Sequence, residues 1–210
     1  MGLLLIEQAF NGLQFGVMLF LIAAGLTLVF GIMDLVNLSH GSLVMVGAYL
    51  ATTLIEWTGS FILGILLALP STFLVGVVVE IVVLRTLYER DHLDQVLATF
   101  GLILFFNELI RIVWGPASLY SGLPESISGH VEILPGVPYP AFRLLIILVG
   151  LLVALLIYFI VARTKLGMLI RAGASNREMA GALGVNIRML FTLVFGLGAS
   201  FAGLAGMMLG

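Results

Sequence analysis

The stretch LLIILVGLLVALLIYFIVA, residues 144–162, is an unbroken run of apolar side chains. A helix rises 1.5 Å per residue, so about 20 such residues cross the hydrocarbon core of a bilayer. In lipid, only helices and closed barrels satisfy the polar groups of the backbone, and a barrel strand alternates in polarity over about 10 residues. Residues 144–162 show no alternation and therefore predict a transmembrane α-helix.

Similar uncharged stretches occur at residues 9–33, 35–55, 61–79, 96–107 and 189–210. The stretch at 96–107 reaches spanning length if Glu108 and Arg111 lie at its end. Of 210 residues, 61% are hydrophobic and 10% are charged, whereas soluble proteins are roughly a quarter charged. We predict an all-α polytopic membrane protein, a single transmembrane domain over residues 1–210, with about six transmembrane helices. Some are expected to be broken or kinked, the third of them at Pro70.

Basic residues are concentrated in one segment of the chain. Five of the nine Lys and Arg lie within residues 163–188, and none precedes Arg85. Basic loops stay in the cytoplasm, so we expect residues 163–188 and the short segment around Arg85 to be cytoplasmic. Residues 115–142 contain no Lys or Arg, and we interpret them as an extracytoplasmic loop.

The two ends of the chain carry further expectations. The first apolar stretch follows Glu7 and no basic residue, which favours a retained helix over a cleaved signal peptide. The last stretch runs to Gly210 without a polar anchor, so we expect C-terminal truncation.

A polar motif, Asn37-Leu38-Ser39-His40-Gly41, lies between the first two helices. Polar side chains at membrane depth usually face a cavity or another helix. The motif predicts a helix start with Asn37 or Ser39 as N-cap, and broken helices often line the substrate path of transporters. The alternative is a capped helix start near the cytoplasmic surface, with His40 hydrogen-bonded to a neighbouring helix. His40 has no second ligand nearby in sequence, so a metal site is not expected.

Two more polar residues, Glu80 and Asn107, fall within or beside apolar stretches. A carboxylate at this depth needs a partner or a water-filled pocket. Arg85 is a poor partner because residues five apart do not share a helix face. We therefore expect an interhelical partner for Glu80, in a structural ion pair or, as the alternative, a proton relay. Asn107 is adjacent to Glu108 and near Arg111, which can pair with each other on one helix face.

Apolar and basic side chains interleave within residues 163–188. Ser175 or Asn176 is expected to cap a helix through residues 179–183 that ends at Gly184. Small residues on one face of this helix would allow another protein to pack closely. The alternative is an amphipathic helix on anionic lipid, but the segment has no Trp or Phe anchor.

Small residues four apart also recur in the apolar stretches. They occur as Gly196/Ser200, Ala199/Gly203 and Ala202/Gly206 in the last stretch, and as Gly12/Gly16 in the first. This spacing permits close contact between transmembrane helices.

Several short motifs occur along the chain in an order that matches a known family. They are the motif at 37–41 with Gly-Ala-Tyr at 47–49, the Glu80-x4-Arg85 spacing, Thr99-Phe-Gly-Leu, and the small-residue run at 199–206. In these the chain resembles the permease subunits of branched-chain amino-acid ABC importers, of the LivH/LivM type. Leu38, Ser39, Thr86 and Tyr88 depart from that family's usual residues.

The resemblance implies particular roles for residues of this chain. Residues 163–188 would be a cytoplasmic coupling loop seated on an ATPase, with contacts at Gly167, Arg171, Ala172, Ala180, Leu183 and Gly184. Candidates for the translocation path are Asn37, Ser39, His40, Gly41, Glu80 and Asn107.

The implied partners are two cytoplasmic ABC ATPase subunits, a second permease subunit, an extracytoplasmic solute-binding protein and membrane lipid, with no nucleic acid. The location would be a bacterial-type inner membrane.

The chain contains neither cysteine nor a Gly-x4-Gly-Lys-Ser/Thr phosphate loop, so we expect no cofactor, no metal and no catalysis by the chain itself. Branched-chain or related small amino acids are the expected substrates, with urea or short amides as alternatives. A proton-coupled secondary transporter or channel using Glu80 or His40 is the other alternative. Such a transporter should show a repeated half, and the sequence shows no convincing repeat.

Overall fold

The computed structural model describes residues 2–117, 119, 122, 124–134 and 137–209. Six long helices dominate this part of the chain: α1 (Gly2–Met33), α2 (His40–Thr58), α3 (Phe61–Val82), α4 (His92–Trp114), α6 (Ala141–Arg163) and α9 (Ile187–Leu209). Five of them are long and apolar enough to cross a membrane. The exception is α2, where polar residues such as His40 and Glu56 lower the mean hydropathy. The predicted all-α polytopic fold is confirmed.

The first three helices are separated by short breaks. Helix α1 ends at Met33, and α2 begins at His40. Helix α2 ends at Thr58, and the next residue, Gly59, has the positive φ that terminates the helix. Ser60 then caps α3 by accepting a hydrogen bond from the Leu63 amide at 3.4 Å. Helix α3 continues to Val82 with Pro70 inside it.

Helix α9 forms the centre of the bundle and packs against α1, α2 and α3. A Cβ atom on Gly47 of α2 would overlap the backbone of Gly203, and one on Gly206 would overlap the carbonyl oxygen of Val44. The backbones of α2 and α9 therefore approach as closely as small-residue interfaces allow, and the packing predicted for the last stretch is confirmed.

The same spacing in the first helix makes no such contact among the described residues. A Cβ added at Gly12 or Gly16 would meet no atom of the described residues within 4 Å. Small residues four apart permit a close contact but do not specify one. At the outer part of α1 the neighbour is α6, and the contact there is between Gly150 and Val17.

Helices α4 and α6 lie at the periphery. The buried residues of α4 form one stripe, namely Gln95, Thr99, Leu102, Phe106 and Ile110, and most of its other apolar side chains are exposed. Helix α6 likewise buries few residues and exposes most of its leucines. Exposed apolar faces of this size are expected for helices surrounded by lipid.

The segment between α4 and α6 has structure that the sequence did not predict. After a short helix, α5 (Glu125–Ser128), strands β1 (His130–Leu134) and β2 (Val137–Pro140) form an antiparallel hairpin with His130 opposite Pro140. Tyr139 is buried against the outer part of α1. Its hydroxyl donates to Asn11 Oδ1 at 3.2 Å, and its ring lies 5.6 Å from that of Phe10. The hairpin thus covers the outer end of the bundle.

Two short helices form the opposite end, α7 (Lys165–Ser175) and α8 (Arg177–Ala182). Hydrogen bonds near this end join Arg85, after α3, to Thr192 of α9, whereas bonds near the hairpin end join Asn11 of α1 to Arg143 of α6. Successive long helices therefore alternate in direction, as the charge pattern predicts for residues 163–188 inside and 115–142 outside.

Candidate functional site

The break between α1 and α2 is held by the side chain of Asn37. Its Oδ1 accepts hydrogen bonds from the Ser39 amide at 3.0 Å and the Ser39 hydroxyl at 2.7 Å. Ser39 occupies the N-cap of α2, but no side chain caps the first turn of that helix. The predicted helix start with Ser39 as N-cap is confirmed, and the Ser39 side chain bonds to Asn37 rather than to the first turn of the helix.

His40 is 3% exposed and ties this break to α1. Its Nε2 lies 3.2 Å from the carbonyl oxygen of Ile22, which confirms the hydrogen bond to a neighbouring helix. A carbonyl can only accept, so Nε2 carries the proton and Nδ1 is an acceptor. His40 Nδ1 and Asn37 Nδ2 are both buried without a hydrogen-bond partner in the described structure. Gly41, the next residue, is exposed.

Two residues of α4, Gln95 and Thr99, complete this site. Gln95 Oε1 accepts from the Val36 amide and Thr99 Oγ1 from the Leu38 amide, each at 3.3 Å. Both side chains are buried. Gln95 was missed by the sequence reasoning, although a polar pair four apart at the start of an apolar helix indicates one shared polar face.

Glu80 is the centre of a second polar cluster. It is fully buried, and its carboxylate accepts from Arg85 Nη2 at 3.0 Å and from Arg85 Nε at 3.3 Å. The Tyr88 hydroxyl donates at 2.5 Å and the Thr192 hydroxyl, from α9, at 2.7 Å. The expected interhelical partner is therefore Thr192.

The expectation that Arg85 would be a poor partner for Glu80 was wrong. Helix α3 ends at Val82, and a 3₁₀ turn over Leu84–Leu87 follows it. The tighter turn changes the angle between residues five apart, so the Arg85 side chain returns to Glu80. The hydrogen bond to Glu80 raises the pKa of Arg85, and burial raises the pKa of Tyr88. Both groups thus keep their protons at neutral pH.

Asn107 lies apart from both clusters. It is exposed on α4. Its neighbours Glu108 and Arg111 form the predicted pair, with Arg111 Nη1 4.0 Å from Glu108 Oε1. Among the described residues no hydrogen bond joins Asn107, Glu80 and the break at residues 37–40. The translocation-path candidates therefore form two separate polar clusters and one exposed amide.

The segment between α6 and α9 contains two short helices, each with a capped start. Thr164 Oγ1 accepts from the Gly167 amide at 3.1 Å, and Asn176 Oδ1 accepts from the Met179 amide at 2.9 Å. Gly184, at φ +89°, follows the end of α8. Asn176 is thus the predicted cap, and Gly184 is the predicted stop.

The coupling candidates divide into inward and outward residues. Gly167 is buried against the carbonyl oxygens of Ile160 and Val161, which leave no room for a Cβ, and Ala180 is also buried. Four others are exposed, namely Arg171, Ala172, Leu183 and Gly184. Arg171 donates a hydrogen bond to the carbonyl of Val161. Gly167 and Ala180 seat α7 and α8 on the bundle and do not present a surface.

Large apolar side chains are exposed on α8 and just after it. Met179 is 60% and Leu183 80% exposed, in a segment that the charge pattern places outside the membrane. Beside them lies a polar groove of about 530 Å³ between the end of α1 and the α7–α8 junction, lined by residues that include Asp34, Ser175, Arg177 and Glu178. No group of three His, Cys, Asp or Glu able to hold a metal occurs in the described part of the chain.

Comparison with known proteins gives one consistent family. Residues 8–210 match the family described as "Branched-chain amino acid transport system / permease component". The chain is similar to the high-affinity branched-chain amino acid transport system permease protein BraD of Pseudomonas aeruginosa, with 29% identity over 98% of this chain and 70% of BraD. It is similar to the corresponding permease LivH of Escherichia coli, with 28% identity over 98% of this chain and 70% of LivH.

An archaeal relative shares the same likeness. The probable branched-chain amino acid transport permease protein LivH of Methanocaldococcus jannaschii is 28% identical over 90% of this chain and 61% of its own length. No solved structure gives a significant match. The permease component is a transport class rather than an enzyme class, and the order of motifs, the apolar helices and the match over residues 8–210 agree. The chain therefore belongs to the branched-chain amino acid transport system permease family and is a multi-pass protein of the inner membrane.

Proposed function

We propose that this chain forms one half of the membrane pathway of an ABC importer for branched-chain or related small amino acids. It would pair with a second permease subunit, receive substrate from an extracytoplasmic binding protein and be driven by two cytoplasmic ATPases. ATP hydrolysis would belong to those ATPases, and this chain would catalyse no reaction. Membership of the permease family and the likeness to BraD and LivH over most of their length support this function.

The observation that carries the proposal is the exposed apolar surface of α8. Met179, on the capped helix α8, is 60% exposed, and Leu183, directly after α8, is 80% exposed, both outside the membrane spans. Large apolar side chains that are exposed to solvent on a short helix indicate a surface that binds another protein. We define the coupling surface as Met179, Leu183 and Gly184 with the neighbouring Arg171 and Ala172.

The coupling surface is mechanically connected to the bundle. A Cβ added to Gly173 of α7 would lie 3.1 Å from Leu190 of α9 and 3.7 Å from Ile32 of α1, so α7 packs closely against both helices. A displacement of α7 and α8 by an ATPase would therefore act on α1 and α9 together. Rigid-body movement of helices around a central pathway is the general basis of alternating access.

Within the membrane, the break at residues 37–41 is the proposed contact with the substrate path. Asn37 Nδ2 and His40 Nδ1 are buried without a partner, and such atoms are costly unless a polar group or water reaches them. A transported amino acid or water would supply that partner as the break opens. Glu80 is a structural residue in this proposal, because Arg85, Tyr88 and Thr192 already occupy its carboxylate.

The coupling surface is tested by Leu183→Asp. The chain is co-expressed with its cognate ATPases and purified from membranes, and the bound ATPase is quantified. We expect Leu183→Asp to reduce ATPase recovery at least about tenfold, because burying a carboxylate in an apolar contact costs several kcal/mol. Leu93→Asp is the matched control, since Leu93 is 70% exposed at the cytoplasmic start of α4 but lies away from α8. Equal recovery in both variants would refute the coupling surface.

Transport itself is tested by uptake of radiolabelled leucine into vesicles that contain the complete system. Uptake should require ATP inside and the binding protein outside. Uptake driven by a proton gradient without ATP would establish the secondary-transporter alternative. Uptake of urea but not leucine would move the substrate class to short amides.

A further inference from the structure

A groove at the cytoplasmic end of the α3–α9 seam belongs to neither the coupling surface nor the break at residues 37–41. It has a volume of about 510 Å³ and is lined by Phe73, Val77, Arg85, Asn186, Arg188, Met189, Thr192 and Leu193. We call it the seam groove. Its lining divides into a polar end, formed by the two arginines with Asn186 and Thr192, and an apolar end formed by the remaining four residues.

The polar end is positively charged. The guanidinium of Arg188 is exposed and has no partner among the described residues. The side chain of Arg85 is about one-third exposed, and its bonds to Glu80 and Thr192 use Nε and Nη2, which leaves Nη1 for another acceptor. Glu80 is fully buried behind Arg85 and offsets one of the two charges. None of the lining side chains is acidic.

The position of the polar end is also defined. Arg188 lies in the first turn of α9 and Arg85 directly after α3, so both lie where these helices leave the membrane on the cytoplasmic side. Asn186 Oδ1 accepts from the Met189 amide at 3.0 Å, so Asn186, which lines the polar end of the groove, caps the start of α9. Aligned amides at a helix start favour an anion there.

The apolar end continues into the membrane. Phe73 lies nine residues before Val82, the end of α3, which is about 13 Å of helix. Its ring occupies the space beside Gly196, where a Cβ would come within 2.7 Å of the ring. Because Gly196 has no side chain, the Phe73 ring packs closely against α9, and it lines the groove together with Val77 and Leu193.

We propose that the seam groove binds one anionic glycerophospholipid of the inner leaflet, with its phosphate between Arg85 and Arg188 and an acyl chain along Phe73, Val77 and Leu193. The charge of the polar end selects an anionic headgroup, and an apolar channel continuous with the hydrocarbon core selects a lipid over a free anion. Arginine presents several donors to a phosphate and suits such a site better than a mobile lysine.

The test uses the protein extracted from membranes in mild detergent, with the subunits that remain attached, and native mass spectrometry. Phosphatidylglycerol and phosphatidylcholine with identical acyl chains are added at equal concentration. We expect one phosphatidylglycerol to be retained in preference to phosphatidylcholine. Arg188→Gln should lower the retained phosphatidylglycerol about fivefold, the effect of one basic residue near an anionic surface.

Arg163→Gln is the matched control, since Arg163 is exposed at the cytoplasmic end of another membrane helix, α6. It should lower retention less than about twofold if the seam groove is specific. A second variant, Leu193→Trp, fills the apolar end without altering charge and should also reduce retention of the lipid. Unchanged thermal midpoints of the variants establish that each is folded.

Three results would overturn the proposal. Equal losses in Arg188→Gln and Arg163→Gln would show general attraction to the anionic membrane surface. Displacement of the lipid by an equal concentration of glycerol phosphate would show a site for free phosphate. Retention by the isolated chain but not by the assembled complex would show that another subunit covers the seam groove.

Discussion

Replacement of Glu80 by glutamine separates a structural role of this residue from a proton-carrying one. The variant keeps the size of the side chain and one acceptor oxygen, and it replaces the other oxygen by an NH₂ group. Four donor groups, two from Arg85 and one each from Tyr88 and Thr192, then compete for one oxygen. Losing the ionised acceptor costs about 1.5–3 kcal/mol, and one unsatisfied buried hydroxyl adds about 1 kcal/mol.

We therefore expect Glu80→Gln to lower the free energy of unfolding by about 3 kcal/mol. For a chain of this length, each kcal/mol shifts the thermal midpoint by roughly 2–4 °C, so the midpoint should fall by about 6–12 °C. The measurement is differential scanning fluorimetry of the purified protein in one detergent at a fixed scan rate, because membrane proteins often unfold irreversibly.

Arg85→Gln gives the stricter comparison. Glu80 is fully buried, whereas the Arg85 side chain is about one-third exposed and can reach water. Removing Arg85 leaves a buried carboxylate without its cation, whereas removing the charge of Glu80 leaves a cation that can be hydrated. Arg85→Gln should therefore lower the midpoint more than Glu80→Gln.

Glu108→Gln serves as the control, because that pair is exposed at 4.0 Å and is expected to change stability by about 0.5 kcal/mol or less. A midpoint for Glu80→Gln equal to that of the control would refute the structural role. So would a smaller effect of Arg85→Gln than of Glu80→Gln. Normal stability of Glu80→Gln with lost uptake would indicate a proton relay.

Three further outcomes can be measured by the same thermal assay. Gly47→Ala should lower the midpoint because its Cβ would overlap the α9 backbone, whereas Gly12→Ala, in open space, should leave or raise it. Gly184→Ala should lower it by strain at φ +89°, about 1 kcal/mol, whereas Gly181→Ala, at an ordinary helical φ with its nearest neighbouring atom at 3.7 Å, should not. Burial raises the pKa of Tyr88, so the folded state holds a proton that an unfolded tyrosine releases near pH 10. Stability should therefore fall as pH rises above about 10, and it should fall less in Tyr88→Phe.

The transmembrane helices were predictable because few backbone conformations are stable in lipid. An apolar run of about 20 residues can satisfy its backbone only as a helix, and the six stretches of the sequence coincide with α1, α2, α3, α4, α6 and α9. The caps at Asn176 and Gly184 were predictable for a similar reason, since each satisfies backbone groups of its own helix end. Local requirements of this kind are visible in the sequence.

The errors arose where geometry depends on a distant or irregular neighbour. The pairing of Glu80 with Arg85 required the 3₁₀ turn after α3, which an ideal helix does not contain. The hairpin of β1 and β2 required a buried position for Tyr139 against α1. Gln95 and Thr99 fix the break between α1 and α2 by accepting hydrogen bonds from the amides of residues 36 and 38, which are distant from them in sequence.

The attachment of α4 determines its height in the membrane. Gln95 and Thr99 bond to the break between α1 and α2, and at the other end the Trp114 Nε1 donates to Thr53 Oγ1 at 2.7 Å. Gln95 and Trp114, which make these hydrogen bonds, are about 28 Å apart along the helix. In lipid, contacts between helices gain no hydrophobic driving force, so interhelical hydrogen bonds contribute more to their register. A slip of one residue would shift α4 by about 1.5 Å and stretch the hydrogen bonds at both of its ends, so these bonds together oppose sliding of α4 along the bilayer normal.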